Sequence, residues 1–189
     1  QHRDYRIFED FAFYMMKETC EKRATNILDI PGRKFAFDST TIPLCLATFP
    51  WAKFRKKKGG VKAHVLYDIE AQVPTFYTVT AASKHDSTAM RSIPYEPNAY
   101  YIFDRAYDSF RELYRIHLTD SFYVVRAKTN LKYKMVKWKR RMPKNVLTDA
   151  EVKLTGYLSE KKYPKSFRLI RYYDEEDDRE FVFLTNAKH

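Results

Sequence analysis

The sequence predicts an α/β fold in which a mixed β-sheet is flanked by helices. Two stretches support this prediction, and each is an apolar strand that presents an aspartate. In residues 35–42, apolar and polar side chains alternate up to Asp38, and in residues 100–104 an apolar run ends at Asp104. A third observation is that strand patterns alternate with helical patterns between and after these stretches. Because burying an isolated carboxylate is costly, we expect each aspartate to lie near solvent, a cation or a metal ion.

Composition limits the class of protein. The chain has 189 residues, 44% of them hydrophobic, which suits one domain or one domain with a sizeable insertion. Its net charge of +11 favours a polyanionic partner, nucleic acid rather than a membrane, although a basic protein of unrelated function has the same composition. Cys20 and Cys45 lack CxxC spacing, which argues against a disulfide scaffold or a zinc ribbon. No apolar run approaches the roughly 18 residues that span a bilayer, and no signal peptide is visible.

The chain begins with a predicted amphipathic helix. Over residues 4–26, aromatic and methionine side chains recur at helical spacing with charged residues between them. Such a stripe usually packs against a core, so we give it no chemical role and assign residues 1–30 to an N-terminal helix. Because the first residue is Gln1 rather than methionine, we also expect the chain to be a piece of a longer protein.

Three strands follow and predict an antiparallel meander. The Asp38 strand is succeeded by the alternating residues 61–69 and by residues 73–80, with short links between them. In residues 61–69, Lys62 and His64 fall on one face and the apolar residues fall on the other. The face with Lys62 and His64 is therefore the one expected to carry function.

The next segment completes an α/β order. Ser83-Lys84-His85-Asp86 has capping-box spacing and predicts a short helix through Ser92, after which a proline-containing loop leads to the Asp104 strand. Asp108 is placed to cap another helix, and residues 122–126 form a further apolar strand. The order strand, strand, strand, helix, strand, helix, strand matches a ribonuclease H-like core, a mixed sheet flanked by helices.

The region after residue 127 is predicted to be a β-rich insertion. We place the ribonuclease H-like core at residues 31–127 and the insertion, which follows the fifth core strand, at residues 128–189. The first part of the insertion is strongly basic and interleaved with aromatic residues. Three strand patterns follow, the last two joined by an acidic turn as a hairpin, and they cover residues 151–155, 167–173 and 180–185.

Taken alone, neither aspartate is specific. Asp38 precedes Ser-Thr-Thr, where an aspartate commonly caps its own turn, and Asp104 followed by Arg105 is a common surface pair. Together they predict a metal site, because the first and fourth strands of a ribonuclease H-like sheet are neighbours and both carboxylates would meet at one end. Carboxylate oxygens are the hard ligands that Mg²⁺ prefers, and two such ions about 3.5–4 Å apart serve phosphoryl transfer.

Four motifs around these aspartates form an ordered set. They are Asp38-Ser39-Thr40-Thr41-Ile42, Lys62-Ala63-His64, His85-Asp86 and Asp104-Arg105-Ala106-Tyr107. In order and spacing over residues 32–126, the set resembles the IS4-type DDE transposases of bacterial insertion sequences. The last motif is similar to the Asp-x-Gly/Ala-Tyr signature around that family's second acid, and the β-rich segment lies where the family carries an insertion.

The resemblance implies a metal-dependent DNA transposase that nicks transposon ends and joins the freed 3′ hydroxyl to target DNA. Asp38 and Asp104 would be the first two acids of the DDE triad and would hold two Mg²⁺ ions, with Mn²⁺ as an alternative. The implied partners are transposon ends, target DNA and a second copy of the protein in the synaptic complex, in the cytoplasm of a bacterium near its nucleoid. The residues expected to support the metal ligands are Ser39, Thr40, His85 and Asp86.

The third acid is where the sequence departs from the family. The family carries its glutamate on a helix in a Tyr-x-x-Arg-x-x-x-Glu pattern. Tyr123 and Arg126 begin such a pattern, but Asn130 stands at the glutamate position and the context is a strand. Three later glutamates lie in or beside the predicted hairpin and are not candidates, namely Glu175, Glu176 and Glu180. We therefore expect the chain to be truncated before the third acid and to be inactive in this form.

Basic residues supply the candidates for DNA contact. Alternatives exist for several of them: His64 would instead be a partly buried ring bonded to a neighbour, Tyr107 would support Asp104, and a charge run is often only a solvated face. Trp51 or Trp138 would stack on a displaced base. The residues expected to contact DNA are Lys62, His64, Arg105, Tyr107, Lys56, Lys57, Lys58, Lys137, Lys139, Arg140 and Arg141.

Two other interpretations stay open. A decayed or truncated transposase would hold DNA without cutting it, and it differs from the active enzyme in lacking a downstream helix with the Tyr-x-x-Arg-x-x-x-Glu pattern. A ribonuclease H-like nuclease outside transposition would prefer the RNA of a hybrid, or a branched junction, as its substrate.

Overall fold

The structure, a computed structural model, describes residues 4–22, 28–45, 47–55, 58–139 and 141–188. The chain divides into two compact units, Gln1–Ile93 and Pro94–His189. The predicted α/β class with a mixed sheet and flanking helices is confirmed. Within the described part of the chain, no helix has the length and apolar character that crossing a bilayer requires.

The first unit is an antiparallel sheet with one long helix. The helix α1 (Arg6–Lys22) is followed by β1 (Lys34–Leu44), β2 (Lys53–Arg55), β3 (Lys58–Asp68) and β4 (Val73–Ala81). Strand β3 pairs with β1, β2 and β4, and every pairing is antiparallel. The predicted meander is therefore present, with the short strand β2 added before β3.

The apolar stripe of α1 packs less than its pattern predicts. Phe13 contacts Phe76 and stacks on Tyr77 of β4 at 5.2 Å between ring centroids. No described residue of α1 is buried, and Phe8 and Phe11 remain mostly exposed. The stripe therefore packs on β4 only in part, because only one side of the helix meets the strand.

Strand register decides which face of β3 is interior. Ser39 lies opposite His64 and Phe37 lies opposite Leu66, so these residues share one face. Phe37, His64 and Leu66 are all buried, whereas Tyr67 on the other face is exposed. The polar face predicted to carry function is thus the more deeply buried one.

Buried charges in the first unit have ionic partners. Lys34 is almost fully buried, and its Nζ lies 2.6 Å from Glu70 Oε1. Asp68 is also buried, and its Oδ2 accepts hydrogen bonds from Arg33 Nε and Nη2 at 3.2 and 2.9 Å. These pairs allow charged residues to occupy interior positions that would otherwise be costly.

A 3-10 helix closes the first unit. It spans Asp86–Ser92, where a short helix was predicted, but its N-cap is His85, whose ring nitrogen accepts a hydrogen bond from the Ser87 N–H. The predicted capping box beginning at Ser83 was wrong, because the chain enters the helix two residues later.

The second unit contains the mixed sheet. Its strands lie in the order β5-β6-β10-β9-β8-β7, with β5 and β6 parallel and the other pairs antiparallel. Helix α2 (Phe110–Leu118) connects the two parallel strands. The strands are β5 (Tyr100–Phe103), β6 (Phe122–Arg126), β7 (Tyr133–Trp138), β8 (Val146–Leu154), β9 (Phe167–Asp174) and β10 (Arg179–Thr185).

The β-rich region after residue 127 extends this sheet. Strand β10 pairs with β6, with Phe183 opposite Arg126, so the predicted insertion and the last predicted core strand share one sheet. The β9–β10 hairpin lies where it was predicted, whereas β7 and the helix α3 (Tyr157–Lys162) were not anticipated. The domain boundary proposed at residue 127 stays a prediction.

The start of α2 also differs from its prediction. Ser109 is the N-cap, and its side chain makes no capping hydrogen bond. Asp108, the predicted cap, points its carboxylate toward Lys128 Nζ at 3.7 Å instead. Burial raises the pKa of Asp108, while Lys128 opposes that shift.

Tyr163 organises the aromatic core of the second unit. Its side chain is fully buried, and the rings of Tyr114, Tyr123 and Phe167 meet it edge-on. Its hydroxyl lies 2.7 Å from His117 Nδ1. This one side chain therefore connects α2, β6 and β9.

We expect Tyr163→Phe to lower the free energy of unfolding by about 1–3 kcal/mol, because the half-buried His117 nitrogen loses its hydrogen-bond partner. Urea denaturation followed by circular dichroism measures this change. Tyr157→Phe is the matched control, since Tyr157 is exposed and its substitution should alter stability by less than about 0.5 kcal/mol. Equal stabilities of the two variants would contradict the structural role given to the Tyr163 hydroxyl.

Candidate functional site

Asp38 occupies an exposed position in the middle of a well-paired strand. It lies opposite Val65 of β3, and its Oδ1 accepts a hydrogen bond of 2.7 Å from the N–H of Ser39. The residues before it, Phe35 and Phe37, are buried and fix the strand in the sheet. Asp38 therefore presents carboxylate oxygens to solvent from a rigid backbone.

A polar network fills the opposite face of the same strand. Lys62 Nζ lies 3.0 Å from Asp86 Oδ1 and donates to the carbonyl oxygen of Lys84 at 3.2 Å. Ser39 Oγ donates to Asp86 Oδ1 at 3.1 Å. Because successive side chains of a strand alternate, Ser39 and Asp38 lie on different faces. The network thus anchors the backbone of β1 next to Asp38 without sharing its face.

His64 is an interior member of this face. It is 1% exposed, its Nε2 lies 2.9 Å from Thr80 Oγ1, and Phe37 stacks on its ring. Burial lowers the pKa of His64, and the neighbouring charge of Lys62 lowers it further. The carboxylates of Asp86 and Asp38 act in the opposite direction but do not reverse the shift. The ring is held in its neutral form, which favours the structural alternative over a contact with DNA.

Asp86 is held ionised by its partners. Burial alone would raise the pKa of Asp86. The hydrogen bond and charge of Lys62 lower it, as do the hydrogen bond from Ser39 and the charge of His64, so the pKa lies below its ordinary value. Thr40, also predicted to support the site, is exposed on the same face of β1 as Asp38. Of the four predicted supporting residues, Ser39 and Asp86 therefore contact each other, and His85 caps the adjoining 3-10 helix.

Asp104 follows the end of β5 in the second unit. Its side chain is 55% exposed, and its Oδ1 lies 4.0 Å from Arg126 Nη1. The parallel pairing sets Phe103 opposite Val125, so Asp104 and Arg126 each follow that pair by one residue. Arg105 is exposed, whereas Tyr107 is buried beside Phe103, which favours a supporting role for Tyr107 over contact with DNA.

The expected DNA-contacting cations differ in their surroundings. Lys62 is largely withdrawn into its ion pair, while Lys137 and Arg141 are exposed. Lys139 is half exposed and its Nζ lies 3.0 Å from Asp149 Oδ2. Lys56, Lys57 and Arg140 lie outside the described residues, and only the backbone of Lys58 is described, at the start of β3.

An ionic cluster in the second unit was not anticipated. Asp149 is buried, and Arg168 contacts both of its oxygens, Nε to Oδ1 at 2.6 Å and Nη2 to Oδ2 at 2.7 Å. The hydrogen bond from Arg168 lowers the pKa of Asp149 more than burial raises it. With Lys139 and the exposed Trp138, these residues line a cavity of about 300 Å³. Sequence patterns do not indicate this pair, because Asp149 precedes the predicted strand at residues 151–155 and the pairing of β8 with β9 is not visible in the sequence.

The acids differ in their availability to a metal ion. Asp68, Asp86 and Asp149 are engaged in close ion pairs, whereas Asp38 and Asp104 keep exposed carboxylate oxygens. Glu180 lies 2.6 Å from Arg171 and Glu175 lies 3.3 Å from Lys144, as expected for hairpin residues. Among the described residues, no group of three or more His, Cys, Asp or Glu side chains forms a ready metal centre.

Arg126 is the residue that sequence reasoning overlooked. It was noted only as part of a chance Tyr-x-x-Arg pattern, yet it is the cation that faces Asp104. A signal was present: a strand, a helix and a second strand in succession predict parallel neighbours, and parallel strands bring their carboxyl ends to the same edge.

Comparison with known proteins gives a consistent set of matches. A family model described as "Transposase DDE domain" matches residues 30–189. The chain is 32% identical to the putative transposase y4zB of Sinorhizobium fredii over 156 residues, which are 80% of this chain and 43% of that protein. It is 26% identical to the probable transposase for insertion sequence element IS5377 of Geobacillus stearothermophilus, over 90% of this chain and 45% of that protein.

Among solved structures, the chain is similar to a piggyBac transposase in a synaptic complex with hairpin DNA. The TM-score is 0.48 and the sequence identity is 11%, with 85% of this chain and 34% of that chain covered.

The buried neutral His64 makes stability depend on pH. Below the ordinary histidine pKa of 6.5, the unfolded chain takes up a proton that the folded His64 resists, so folding becomes less favourable as the pH falls. We expect the melting temperature of wild-type protein to fall more steeply below this pH than that of His64→Gln.

Thermal unfolding at a series of pH values measures the effect. Parallel pH profiles for wild type and His64→Gln would show that His64 is not held neutral.

Proposed function

This chain belongs to the family of transposase DDE domains, and from that premise we propose that it forms part of the catalytic domain of a bacterial DNA transposase. The chain spans less than half the length of the two curated relatives, 43% and 45%, so the proposal concerns the activity of the whole protein. The substrate proposed is DNA, cut at the ends of an insertion sequence and joined to a target.

One observation carries this proposal. Asp38 and Asp104 stand at the two positions that resemble the first two acids of the DDE triad, and both are exposed. Three other aspartates of the described chain, Asp68, Asp86 and Asp149, form close ion pairs with arginine or lysine. A metal ligand must keep its oxygens available, and Asp38 and Asp104 meet that requirement.

The family implies dependence on a divalent metal ion. The oxygen donors of Asp38 and Asp104 fit a hard cation, and we propose Mg²⁺, or Mn²⁺ as a substitute, with two ions per site. When bound, such ions activate the attacking oxygen and stabilise the charge that develops on the phosphate. The third acid predicted by the resemblance completes the ligand set in this proposal.

The protein's own residues hold and orient the site. The contacts of Ser39 and Lys62 with Asp86 fix the backbone beside Asp38 from the opposite face of β1. The exposed cations of the second unit, Lys137 and Arg141 among them, bind the DNA backbone. In the intact enzyme we propose a homodimer on paired transposon ends, an IS4-type relationship and association with the bacterial nucleoid.

We expect Asp38→Asn and Asp104→Asn in the full-length protein to reduce cleavage at transposon ends by roughly a hundredfold or more, since each removes charge that holds the metal ion. The assay is nicking of supercoiled plasmid that carries the protein's own transposon ends, with Mg²⁺ and with EDTA. DNA binding, measured in parallel by fluorescence anisotropy, should be retained.

The matched controls are Asp10→Asn and Asp177→Asn, which change exposed aspartates on α1 and in the β9–β10 turn. Normal cleavage by either active-site variant would refute the assignment. Tight binding without Mg²⁺-dependent cleavage by the wild-type protein would instead support a decayed, DNA-holding transposase. Faster cleavage of an RNA–DNA hybrid or a branched junction would support a nuclease outside transposition.

A further inference from the structure

A buried carboxylate lies four residues after Asp104 in the second unit. The side chain of Asp108 is 8% exposed, and its Oδ1 has no hydrogen-bond partner among the residues that the structure describes. Its Oδ2 lies 3.7 Å from Nζ of Lys128, which makes an ion pair that is too long for a good hydrogen bond. A buried carboxylate with one unsatisfied oxygen and one long ionic contact costs free energy. The stability of the fold therefore does not account for Asp108.

The helix that follows does not explain the position of this carboxylate either. Ser109 is the N-cap of α2, and Asp108 lies one residue before it. The side chain of Asp108 faces the interior of the unit. Burial and the neighbouring Tyr163 raise the pKa of Tyr123, a buried residue of β6, and the charge of Asp108 adds to that rise. The cation that meets the carboxylate is Lys128, whose own side chain is 42% exposed.

The contact between Asp108 and Lys128 joins two segments that leave the sheet at the same edge. Strands β5 and β6 are parallel and end together. Asp104 directly follows β5 and begins the first segment, while Lys128 lies in the second segment, two residues after the end of β6. The ion pair therefore ties the segment that carries Asp104 to the segment that follows β6.

The turn between Asp104 and Asp108 is short and internally bonded. The N–H of Tyr107 donates to the carbonyl oxygen of Asp104 at 3.0 Å, and the N–H of Asp108 donates to that of Arg105 at 3.4 Å. Tyr107 is buried and fixes the turn in the core. The ion pair of Asp108 is a second anchor. Without it, the turn is held at Tyr107 alone and can rotate there, which moves the Asp104 carboxylate.

We propose that Asp108 is a positioning residue for Asp104: its ion pair with Lys128 fixes the turn that presents the Asp104 carboxylate to a divalent metal ion. The role of Asp104 as a metal ligand rests on the proposed function. Asp108 does not itself bind the metal ion, because its side chain is buried. The free energy that the buried carboxylate costs is then explained by the need to hold a metal ligand in one place.

The test compares Asp108→Asn with the wild type in the full-length protein. Asparagine has nearly the same shape but no charge, so the variant loses the ion pair and keeps the packing. The probe is Mn²⁺, and its binding to the protein without DNA is measured from the electron paramagnetic resonance signal of the free ion. We expect the dissociation constant for Mn²⁺ to rise roughly tenfold, as is typical when a residue that orients a metal ligand is changed. The melting temperature should not fall, because the variant removes a buried charge.

Cleavage at the transposon ends gives a second measurement. In Asp108→Asn, the Mg²⁺ concentration for half-maximal cleavage should rise about tenfold, in line with the weaker metal binding. The cleavage rate at saturating Mg²⁺ and the affinity for DNA in EDTA should stay close to wild type, because the ligands themselves are unchanged. A residue with a purely structural role would lower the melting temperature and leave the metal requirement unchanged, and that result would contradict the proposal.

Variants of Lys128 test the ion pair itself. Lys128→Gln should weaken Mn²⁺ binding as Asp108→Asn does, whereas Lys128→Arg keeps the charge and should bind Mn²⁺ like the wild type. The double variant should be no weaker than either single variant, because both remove the same contact. Lys22→Gln is the matched control: it breaks an exposed ion pair with Glu18 on α1 and should leave Mn²⁺ binding unchanged.

Wild-type Mn²⁺ affinity in Asp108→Asn, or additive losses in the double variant, would overturn the proposal. If Asp108→Asn does not fold, Lys128→Gln decides, since Lys128 is partly exposed, and wild-type affinity in that variant is the contrary result. Failure of this inference is distinct from failure of the proposed function. An inactive Asp104→Asn alongside wild-type behaviour of Asp108→Asn and Lys128→Gln rejects the positioning role alone, whereas normal cleavage by Asp104→Asn rejects the catalytic site.

Discussion

The antiparallel pairing of β1 with β3 is the constraint on which the first unit depends. Its register runs from Phe35 opposite Asp68 to Leu44 opposite Gly59 without a bulge. Since a shift of one residue would exchange the two faces, this register alone decides that His64 is interior and Asp38 is exposed. Phe35 and Phe37 secure it by burying their rings on the same side. The exposed position of Asp38 is therefore a consequence of hydrophobic burial one residue away.

Buried charged residues in close ion pairs differ from Asp38 and Asp104, whose carboxylates are exposed. Lys34, Asp68 and Asp149 are buried, and each has an oppositely charged partner within 3 Å. Such pairs add little net stability, but removal of one partner leaves an uncompensated charge. Among the described residues, Asp38 and Asp104 have no oppositely charged partner within 3 Å, and their exposed carboxylates remain accessible to a cation. Among the described residues, many lysines and arginines are exposed, Lys137 and Arg141 among them.

In the second unit, the parallel pairing of two strands determines where Asp104 and Arg126 lie, just as strand register determines the position of Asp38 in the first unit. Strands β5 and β6 run in the same direction and end together, so the residues that follow them, Asp104 and Arg126, meet at one edge. The antiparallel strands β10, β9, β8 and β7 then continue the sheet outward from β6. Asp104, which we propose as a metal ligand, and the cation of Arg126 are thereby placed side by side.

The sequence by itself determined the α/β class, the aspartate-bearing strands and the family resemblance, because alternation of apolar residues and short motifs are local properties. It also placed the β9–β10 hairpin and the strand context of Arg126 correctly. Only the tertiary structure decided that His64 and Tyr107 are buried. It also decided that Asp86 contacts Lys62 and Ser39. The cap at His85 and the place of Arg126 beside Asp104 likewise depend on the folded chain. These features depend on which residues face each other across strands distant in sequence, and hydrophobic periodicity does not encode that register. The same reason applies to the apolar stripe of α1: periodicity gives the face of a helix, but the packing partner sets how much of that face is covered.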